Sequence, residues 1–298
     1  MVSILIINYN TSHLLLQCVD SIHKHVKGVD YEIIVADNNS SKEERQILRD
    51  DKRFVLLELN ENLGFGKANN AAAKYAKGDY LLLLNPDTVL LNDAVTLLYH
   101  YLTAHQEVGI CGGNLYDGNM LPTHSFHRLY PSLISEVDFA MGQIFRRLRY
   151  GKNAQFNNTS QPIEVAMITG ADLMIRRNVW EQLYGFDPSF FMYGEDADLC
   201  LRCKVLGYKV VSVPKAHIKH LEGKSFLESE SHCRRIIDGR FTFFQKHYSV
   251  YYNQLTNIIN IVSLYIAVIL CWISRKKMAA TNYSQRLRIY KEYVKDSF

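Results

Sequence analysis

Short apolar runs alternate with amphipathic segments along the first hundred residues of the chain. Runs that stay apolar at every position are typical of strands buried on both faces of a parallel sheet. The predicted strands are 2–7, 31–36, 54–57, 80–84 and 108–111. Between these runs, apolar residues recur at helical spacing, as do Leu15, Cys18 and Ile22 in the first segment. The predicted helices are 12–26, 42–49, 68–76 and 92–104.

This alternation predicts an α/β fold with a mostly parallel central sheet flanked by helices. Sheets of this kind bind ligands at the carboxyl ends of their strands. The pattern is lost from 113 to 162, which we interpret as a variable insertion. It returns with a strand at 171–175, a helix at 197–206 and a strand at 208–213. One domain is therefore predicted for residues 1–227.

The rest of the chain, 228–298, is predicted to form a helical C-terminal extension. Within it, 258–273 is strongly apolar and is followed by Arg275, Lys276 and Lys277. The apolar run is shorter than the ~20 residues of a typical spanning helix. Three interpretations stay open: a helix lying in the membrane interface, a helix buried in the core or in a homodimer, and a true span.

Composition and charge narrow the class of protein. Of the 298 residues, 48% are hydrophobic and 21% are charged, as in soluble globular proteins. A net charge of +4 does not indicate nucleic-acid binding, but it suits a protein that handles diphosphates or rests on anionic lipid. No charged segment precedes the apolar run at 2–7, so a cytoplasmic location is predicted. If the C-terminal extension binds lipid, that location is the inner face of the plasma membrane.

Polar side chains crowd the ends of the first two predicted strands. Asn8 and Asn10 follow the first strand, and Asp37 follows the second. A carboxylate at this edge of a sheet can accept hydrogen bonds from a pyrimidine base or a ribose hydroxyl. The alternative is turn chemistry, because Asp and Asn both favour turns. These three residues are candidate nucleotide contacts.

A glycine-containing loop, Gly64-Phe65-Gly66-Lys67, follows the third predicted strand and precedes a helix. Glycines permit close approach of the backbone, and a helix N-terminus favours phosphate. The loop lacks the Gly-Lys-Ser/Thr ending of a Walker loop, and it follows the wrong strand for a dinucleotide fingerprint. It is therefore a general candidate for contact with a nucleotide or its phosphates.

The fourth predicted strand ends in Asn85-Pro86-Asp87. A carboxylate at that point can hold Mg²⁺ or Mn²⁺, with a diphosphate supplying further oxygen ligands. The alternative is an Asx-Pro turn that only starts the next helix.

Three acids within four positions, Glu195, Asp196 and Asp198, follow an apolar segment at 190–193. Acids at a helix N-terminus interact favourably with the helix dipole, which is one explanation. An acid beside apolar surface can also have its pKa raised toward that of a useful general base. Further along, His220 is expected in a polar loop after a strand, where it could complete a metal site with Asp87 or contact a phosphate.

The order of these motifs resembles family 2 glycosyltransferases of the GT-A fold, a Rossmann-like fold, and especially their bacterial rhamnosyltransferase-like branch. The matching stretches are 2–10, 32–41, 62–70, 80–88, 169–201 and 208–225. The resemblance implies a metal-dependent, inverting hexosyltransferase. It would move a sugar from dTDP-rhamnose or a UDP-hexose to a glycan or lipid-linked oligosaccharide.

The resemblance also implies a role for each candidate residue. Asp196 would be the general base, and Asp87, with His220, would bind the metal. The remaining residues would contact the nucleotide sugar: Asn8, Asn10, Asp37, Gly64, Phe65, Gly66, Lys67, Asn85 and Gly170. The first acid of the family's Asp-x-Asp motif is Asn85 here, which leaves one carboxylate for the metal. A sugar nucleotidyltransferase and a non-catalytic binding module are the alternatives.

Overall fold

The computed structural model describes residues 1–151, 154–221, 230–275 and 277–295. The strands are β1 Val2–Asn8, β2 Tyr31–Asp37, β3 Val55–Glu58, β4 Tyr80–Leu84, β5 Thr88–Leu90, β6 Val108–Tyr116, β7 Phe126–His127, β8 Ile163–Glu164, β9 Met167–Ile168, β10 Asp172–Arg176 and β11 Lys209–His220. The helices are α1 Ser12–His25, α2 Lys42–Arg49, α3 Phe65–Ala73, α4 Ala94–Ala104, α5 Leu133–Ala140, α6 Ile144–Tyr150, α7 Arg177–Gln182, α8 Glu195–Val205, α9 Glu230–His247, α10 Val250–Ile273 and α11 Lys277–Lys295.

Within the described residues, the central sheet has nine strands and is mostly parallel, as the sequence predicts. Along its main path the order is β3-β2-β1-β4-β10-β6-β11-β5, and β8 pairs with β11. Strands β1 to β4, β6 and β11 run in one direction, whereas β5, β8 and β10 run against it. The carboxyl ends of the parallel strands therefore lie at the same edge as the start of β10.

The largely apolar character of the first strands is explained by their burial. All seven residues of β1 are buried, and its residues Val2, Ile4 and Ile6 share one core cluster with Leu15 and Ile22 of α1. Helices on the sheet faces bury these strands from both sides, so alternation between apolar and polar positions is not needed.

The irregular segment predicted from 113 onward begins later than expected. Strand β6 continues to Tyr116 inside the central sheet, because Asn114 and Leu115 pair with the far end of β11. By compactness the chain divides into a first unit of 1–128 and 153–225 and a second unit of 129–152 and 226–298. The predicted division at 227 stays a prediction.

The placement of His220 in a loop is wrong. Strand β11 does not end at Val213 but continues through an irregularity after Ser212, and His220 is its last residue. There His220 pairs with Thr88 of β5. Residues 223–225, which belong to the stretch that resembles the family, lie outside the described residues.

The C-terminal extension is helical, as predicted, through α9, α10 and α11. Helix α10 has 24 residues and begins well before the apolar run, because Ser249 caps it by accepting from the Tyr252 backbone N–H. The helix is therefore longer than the apolar run 258–273 from which the three interpretations were drawn. Within the described residues, α10 is the one helix whose length and composition would allow it to cross a membrane.

Candidate active site

The tips of β1 and β2 are joined by a buried polar network. The Asn8 side-chain amide donates to Asp37 Oδ1 at 2.9 Å and to the hydroxyls of Ser12 and Ser40. Asp37 Oδ2 accepts from the Ser40 backbone N–H and lies 2.9 Å from Arg45 Nε. Asp37 and Asn8 are fully buried, so their contacts fix the two strand ends. Their role in reading a nucleobase stays a prediction.

The glycine loop is held in place from both sides. Asn38 donates to Asn62 Oδ1 and the Gly64 carbonyl and accepts from the Leu63 N–H. Gly64 has φ +80°, and a Cβ there would lie 2.0 Å from the Phe191 carbonyl oxygen. Only glycine permits this approach, which brings the loop against the segment that leads into α8.

The rest of the loop faces the same neighbours. The Phe65 N–H donates to the Phe191 carbonyl at 2.9 Å, and the Phe65 ring lies beside Gly170. Gly66 is buried against Phe186, whereas Lys67 is exposed. The loop and Gly170 thus meet, as the prediction of a shared ligand site requires, but contact with a nucleotide stays a prediction. On the opposite side of the Asn8 network, exposed Asn10 accepts from the Ser41 N–H.

Asp196 lies in the first turn of α8 and is only partly buried. Its Oδ2 accepts from the Gly170 N–H at 3.3 Å, and its Oδ1 accepts from the Ala197 N–H at 2.8 Å. Two backbone donors therefore orient the carboxylate, and its partial exposure leaves it accessible to solvent.

The three acids of α8 have different environments. Asp198 is fully buried and pairs with Arg202 at 2.6 Å. Glu195 is 5% exposed, and its Oε2 has no hydrogen-bond partner among the residues that the structure describes. Burial and the neighbouring charge of Asp196 raise the pKa of Glu195 to about 8. Burial also raises the pKa of Asp196, and the backbone donors Ala197 and Gly170 oppose that shift. At neutral pH, Glu195 therefore holds a proton.

The buried Glu195 should make the protein less stable as pH rises. The native state keeps the Glu195 proton until about pH 8, whereas an unfolded glutamate loses its proton near 4.5. Between these values the native state binds more protons, so the free energy of unfolding falls with pH, by up to about 1.4 kcal/mol per unit. We expect Glu195→Gln to remove this slope, as measured by urea denaturation across that range.

Exposed Glu181 provides the matched control for this prediction. Glu181→Gln should leave the pH dependence of stability as it is in the unchanged protein. An equal slope in the Glu195→Gln variant would contradict a proton held at Glu195.

A second cluster lies where β4 and β11 end. Asp87 Oδ1 lies 3.2 Å from His220 Nε2, and Asn85 Nδ2 lies 3.4 Å from the same nitrogen. The Leu221 N–H donates to the Asp87 carbonyl, which holds the end of β11 against this turn. The Asn85 N–H donates to the Ala171 carbonyl at 3.0 Å, next to Gly170. Residues far apart in the chain thus meet at one edge of the sheet.

Asp172 was not recognised from the sequence, although an acid that opens an otherwise apolar strand is a signal. It is fully buried at the start of β10, and its Oδ2 accepts from the Gly113 N–H at 2.5 Å. Its Oδ1 has no hydrogen-bond partner within the described ranges. Burial raises the pKa of Asp172 well above its usual value, and the nearby charge of His220 opposes that shift.

The residues present fit a divalent cation that is shared with a substrate diphosphate. No group of three or more His, Cys, Asp and Glu side chains in the described part of the chain is arranged to hold a metal ion. Mg²⁺, however, commonly binds one or two carboxylates plus substrate phosphate oxygens, and imidazole is a ligand of divalent transition metals. Asp87 and His220, 3.2 Å apart, provide such a pair.

The predicted site residues therefore form three groups at the carboxyl edge. One group contains Asn85, Asp87 and His220, a second contains Gly64–Lys67 with Gly170 and Asp196, and a third contains Asn8, Asn10 and Asp37. The first group is linked to the second by the hydrogen bond from Asn85 to Ala171, which adjoins Gly170. The third group is linked to the second by Asn38, which hydrogen-bonds both Asn8 and Gly64.

Comparison with known proteins identifies the family. The model of the glycosyl transferase family 2 domain matches residues 3–184, which is more than half of the chain. The chain belongs to glycosyl transferase family 2. It is therefore a glycosyltransferase, and its relatives support its membership of the rhamnosyltransferase-like branch.

Two curated relatives are rhamnosyltransferases. Rhamnosyltransferase WbbL of Escherichia coli (strain K12) is 27% identical over 233 residues, which are 74% of this chain and 83% of WbbL. The N-acetylglucosaminyl-diphospho-decaprenol L-rhamnosyltransferase of Mycobacterium tuberculosis is 28% identical over 210 residues, which are 65% of this chain and 67% of that enzyme. Some other relatives are much longer, and one match covers 17% of the relative's length.

Solved structures confirm the GT-A fold of this glycosyltransferase. The mannosyltransferase PcManGT from Pyrobaculum calidifontis, in complex with GDP-Man and Mn²⁺, is similar with a TM-score of 0.63 at 15% sequence identity. The similarity covers 99% of this chain and 87% of PcManGT, so it includes the C-terminal helices.

Proposed function

We propose that this glycosyltransferase transfers a sugar from a nucleoside-diphosphate sugar to a hydroxyl group, with inversion at the anomeric carbon. One observation carries the proposal: Asp196 is oriented by Gly170, and the neighbouring Ala171 is hydrogen-bonded to Asn85, beside the Asp87–His220 pair. A proton acceptor and a diphosphate site are thus close along one sheet edge, as a single displacement requires.

In this mechanism Asp196 takes the proton from the acceptor hydroxyl as its oxygen attacks the anomeric carbon. The Gly170 and Ala197 N–H groups hold the carboxylate in position for that transfer. The transition state is oxocarbenium-like, and no enzymic nucleophile is needed. Asp87 and His220 would hold Mg²⁺ or Mn²⁺, which offsets the charge on the leaving diphosphate.

The donor we propose is dTDP-rhamnose, with UDP-hexoses next. Rhamnosyl transfer by WbbL and by the mycobacterial enzyme supports rhamnose, and the Mn²⁺ and GDP-Man bound to PcManGT support a metal and a nucleotide sugar. The acceptor we propose is a lipid-linked glycan of cell-surface polysaccharide synthesis. The diphospho-decaprenol in the mycobacterial enzyme's name supports it. Such an acceptor would bring a cytoplasmic enzyme to the inner face of the plasma membrane.

A panel of nucleotide sugars tests this function. We expect one donor, dTDP-rhamnose first, to raise the melting temperature in the presence of Mn²⁺, because a ligand that binds only the native state stabilises it. The same donor should be hydrolysed slowly to free sugar and nucleoside diphosphate, and a chelator should stop this reaction. Release of pyrophosphate from a nucleoside triphosphate and a sugar phosphate would instead identify a nucleotidyltransferase. Absence of any stabilisation and turnover with every donor would contradict the proposal.

A further inference from the structure

The second unit exposes an ordered row of large apolar side chains on α10. We call Leu255, Ile258, Val262, Tyr265, Ile269 and Trp272 the apolar stripe. They recur at alternating spacings of three and four residues, which places them along one face of a helix. Each is between 43% and 80% exposed. Monomeric soluble proteins rarely expose so continuous an apolar surface, so the stripe marks an interaction site.

On the opposite face of α10, two asparagines hydrogen-bond to a polar and charged cluster inside the second unit. Asn257 Oδ1 accepts from Tyr290 at 2.7 Å and from Arg240 at 3.2 Å, and Asn260 donates to Glu136 at 2.7 Å. Arg240 in turn pairs with Glu136 at 3.1 Å. A helix that crossed the bilayer would carry this ion pair into hydrocarbon, at a high cost in free energy. The geometry therefore favours a helix that lies flat, with only the stripe in contact with lipid.

The composition of α10 favours lipid over a second copy of the chain. Its 24 residues include no charged side chain, and the neighbouring helix α11 places a cation, Lys291 Nζ, 4.7 Å from the centre of the Tyr265 ring in the stripe. Helices that pair in water usually carry charges beside the apolar seam, which set partner and orientation. At the C-terminal end of the stripe, Trp272 is followed by exposed Arg275, an aromatic and basic combination typical of a membrane interface.

A basic border lies next to the stripe. A groove of about 490 Å³ is lined by Arg147 of α6 and by Ile266 and Leu270 of α10, so these side chains share one face of the second unit. Helix α6 also exposes Leu148, which is 81% accessible, and Arg149.

The exposed charged side chains in segments 129–151 and 250–275 are all basic. The only carboxylates in 129–151 and 250–275 are Glu136 and Asp138. The first pairs with Arg240 and the second with Arg146. Arg147, Arg149 and Arg275 therefore face no exposed carboxylate from these segments, which makes the surface complementary to anionic lipid headgroups.

We propose that the apolar stripe, with Arg147 and Arg149 at its border, is a docking surface for an anionic phospholipid bilayer, on which α10 lies in the plane of the interface. This deepens the proposed action on a lipid-linked acceptor, and it needs neither the donor nor turnover to be tested.

Co-sedimentation of the full-length protein with vesicles tests the surface. Binding should be tight to phosphatidylcholine vesicles that contain phosphatidylglycerol and weak to phosphatidylcholine alone. Arg147→Gln with Arg149→Gln should weaken binding to the anionic vesicles about 30-fold, because each basic residue near the surface contributes about 1 kcal/mol. Ile258→Glu with Ile269→Glu should weaken it at least about 100-fold, because two isoleucines lose their burial in lipid.

Matched variants separate docking from other effects. Val205→Glu places the same charge on a 78% exposed helical position of the first unit and should leave vesicle binding unchanged. Asp196→Asn should also bind vesicles normally, so loss of catalysis and loss of docking are distinguishable. Unchanged binding by both the arginine and the isoleucine variants would overturn the proposal. So would retention of the protein in vesicles after high-salt and alkaline washing, which indicates a span. Light scattering that shows a dimer broken by Ile258→Glu with Ile269→Glu, without loss of vesicle binding, would assign the stripe to a subunit interface and overturn it too.

Discussion

Replacing Asp196 with Asn is expected to lower turnover by about 10²–10⁴-fold, the usual contribution of a positioned general base. The amide keeps the size of the side chain and its oxygen can still accept from the Gly170 N–H, so the fold around α8 should persist. Donor binding should change little, because the proposed role of Asp196 is to accept a proton from the second substrate. Steady-state kinetics with a donor titration would measure both quantities.

The adjacent Glu195 gives this experiment a sharp control. It is buried, and its raised pKa of about 8 keeps it protonated at neutral pH. Glu195→Gln replaces a neutral acid with a neutral amide of the same shape, so most of the turnover should remain. If Glu195→Gln instead abolishes turnover while Asp196→Asn retains it, the general base is Glu195 and not Asp196.

Replacing Asp87 with Asn is expected to lower turnover roughly 100-fold or more. Stabilisation of leaving-group charge by a metal is worth several kcal/mol, and each 1.4 kcal/mol or so is a factor of ten. Asp87 is the one carboxylate of the Asn85-Pro86-Asp87 turn and lies 3.2 Å from His220. Its loss should also abolish the extra thermal stabilisation that Mn²⁺ gives in the presence of a nucleoside diphosphate, a readout that does not depend on turnover.

Asn85 offers the converse substitution. Asn85→Asp adds a second carboxylate beside His220 Nε2, so the Mn²⁺ concentration needed for half-maximal stabilisation should fall. A variant at Asp87 that keeps both full turnover and metal-dependent stabilisation would show that the cation, if used, binds elsewhere.

Much of the fold could be predicted because its first strands lie deep in a parallel sheet. Burial on both faces makes such strands largely apolar, and β4 at Tyr80–Leu84 and α2 at Lys42–Arg49 have the predicted bounds. The candidate residues could be found for a related reason. Parallel strands end at one edge, so polar residues that follow them in sequence meet in space.

The direction of β10 and the full length of β11 escaped prediction because pairing between distant segments leaves no local pattern. β10 enters between β4 and β6 against their direction, and β11 continues past Pro214 to deliver His220. Short apolar runs predict a strand but carry no information about its neighbours or its direction.

What the sequence by itself determined was the parallel half of the sheet, the residues at its carboxyl edge and the family to which their order belongs. Tertiary structure decided that Glu195 is buried with a raised pKa, that Arg45 pairs with Asp37, and that His220 meets Asp87. It also decided which face of α10 contacts the Arg240–Glu136 cluster and which face is exposed to solvent. The reason is physical: local periodicity reports burial along one segment, whereas pKa values, ion pairs and exposed faces depend on what other segments place beside it.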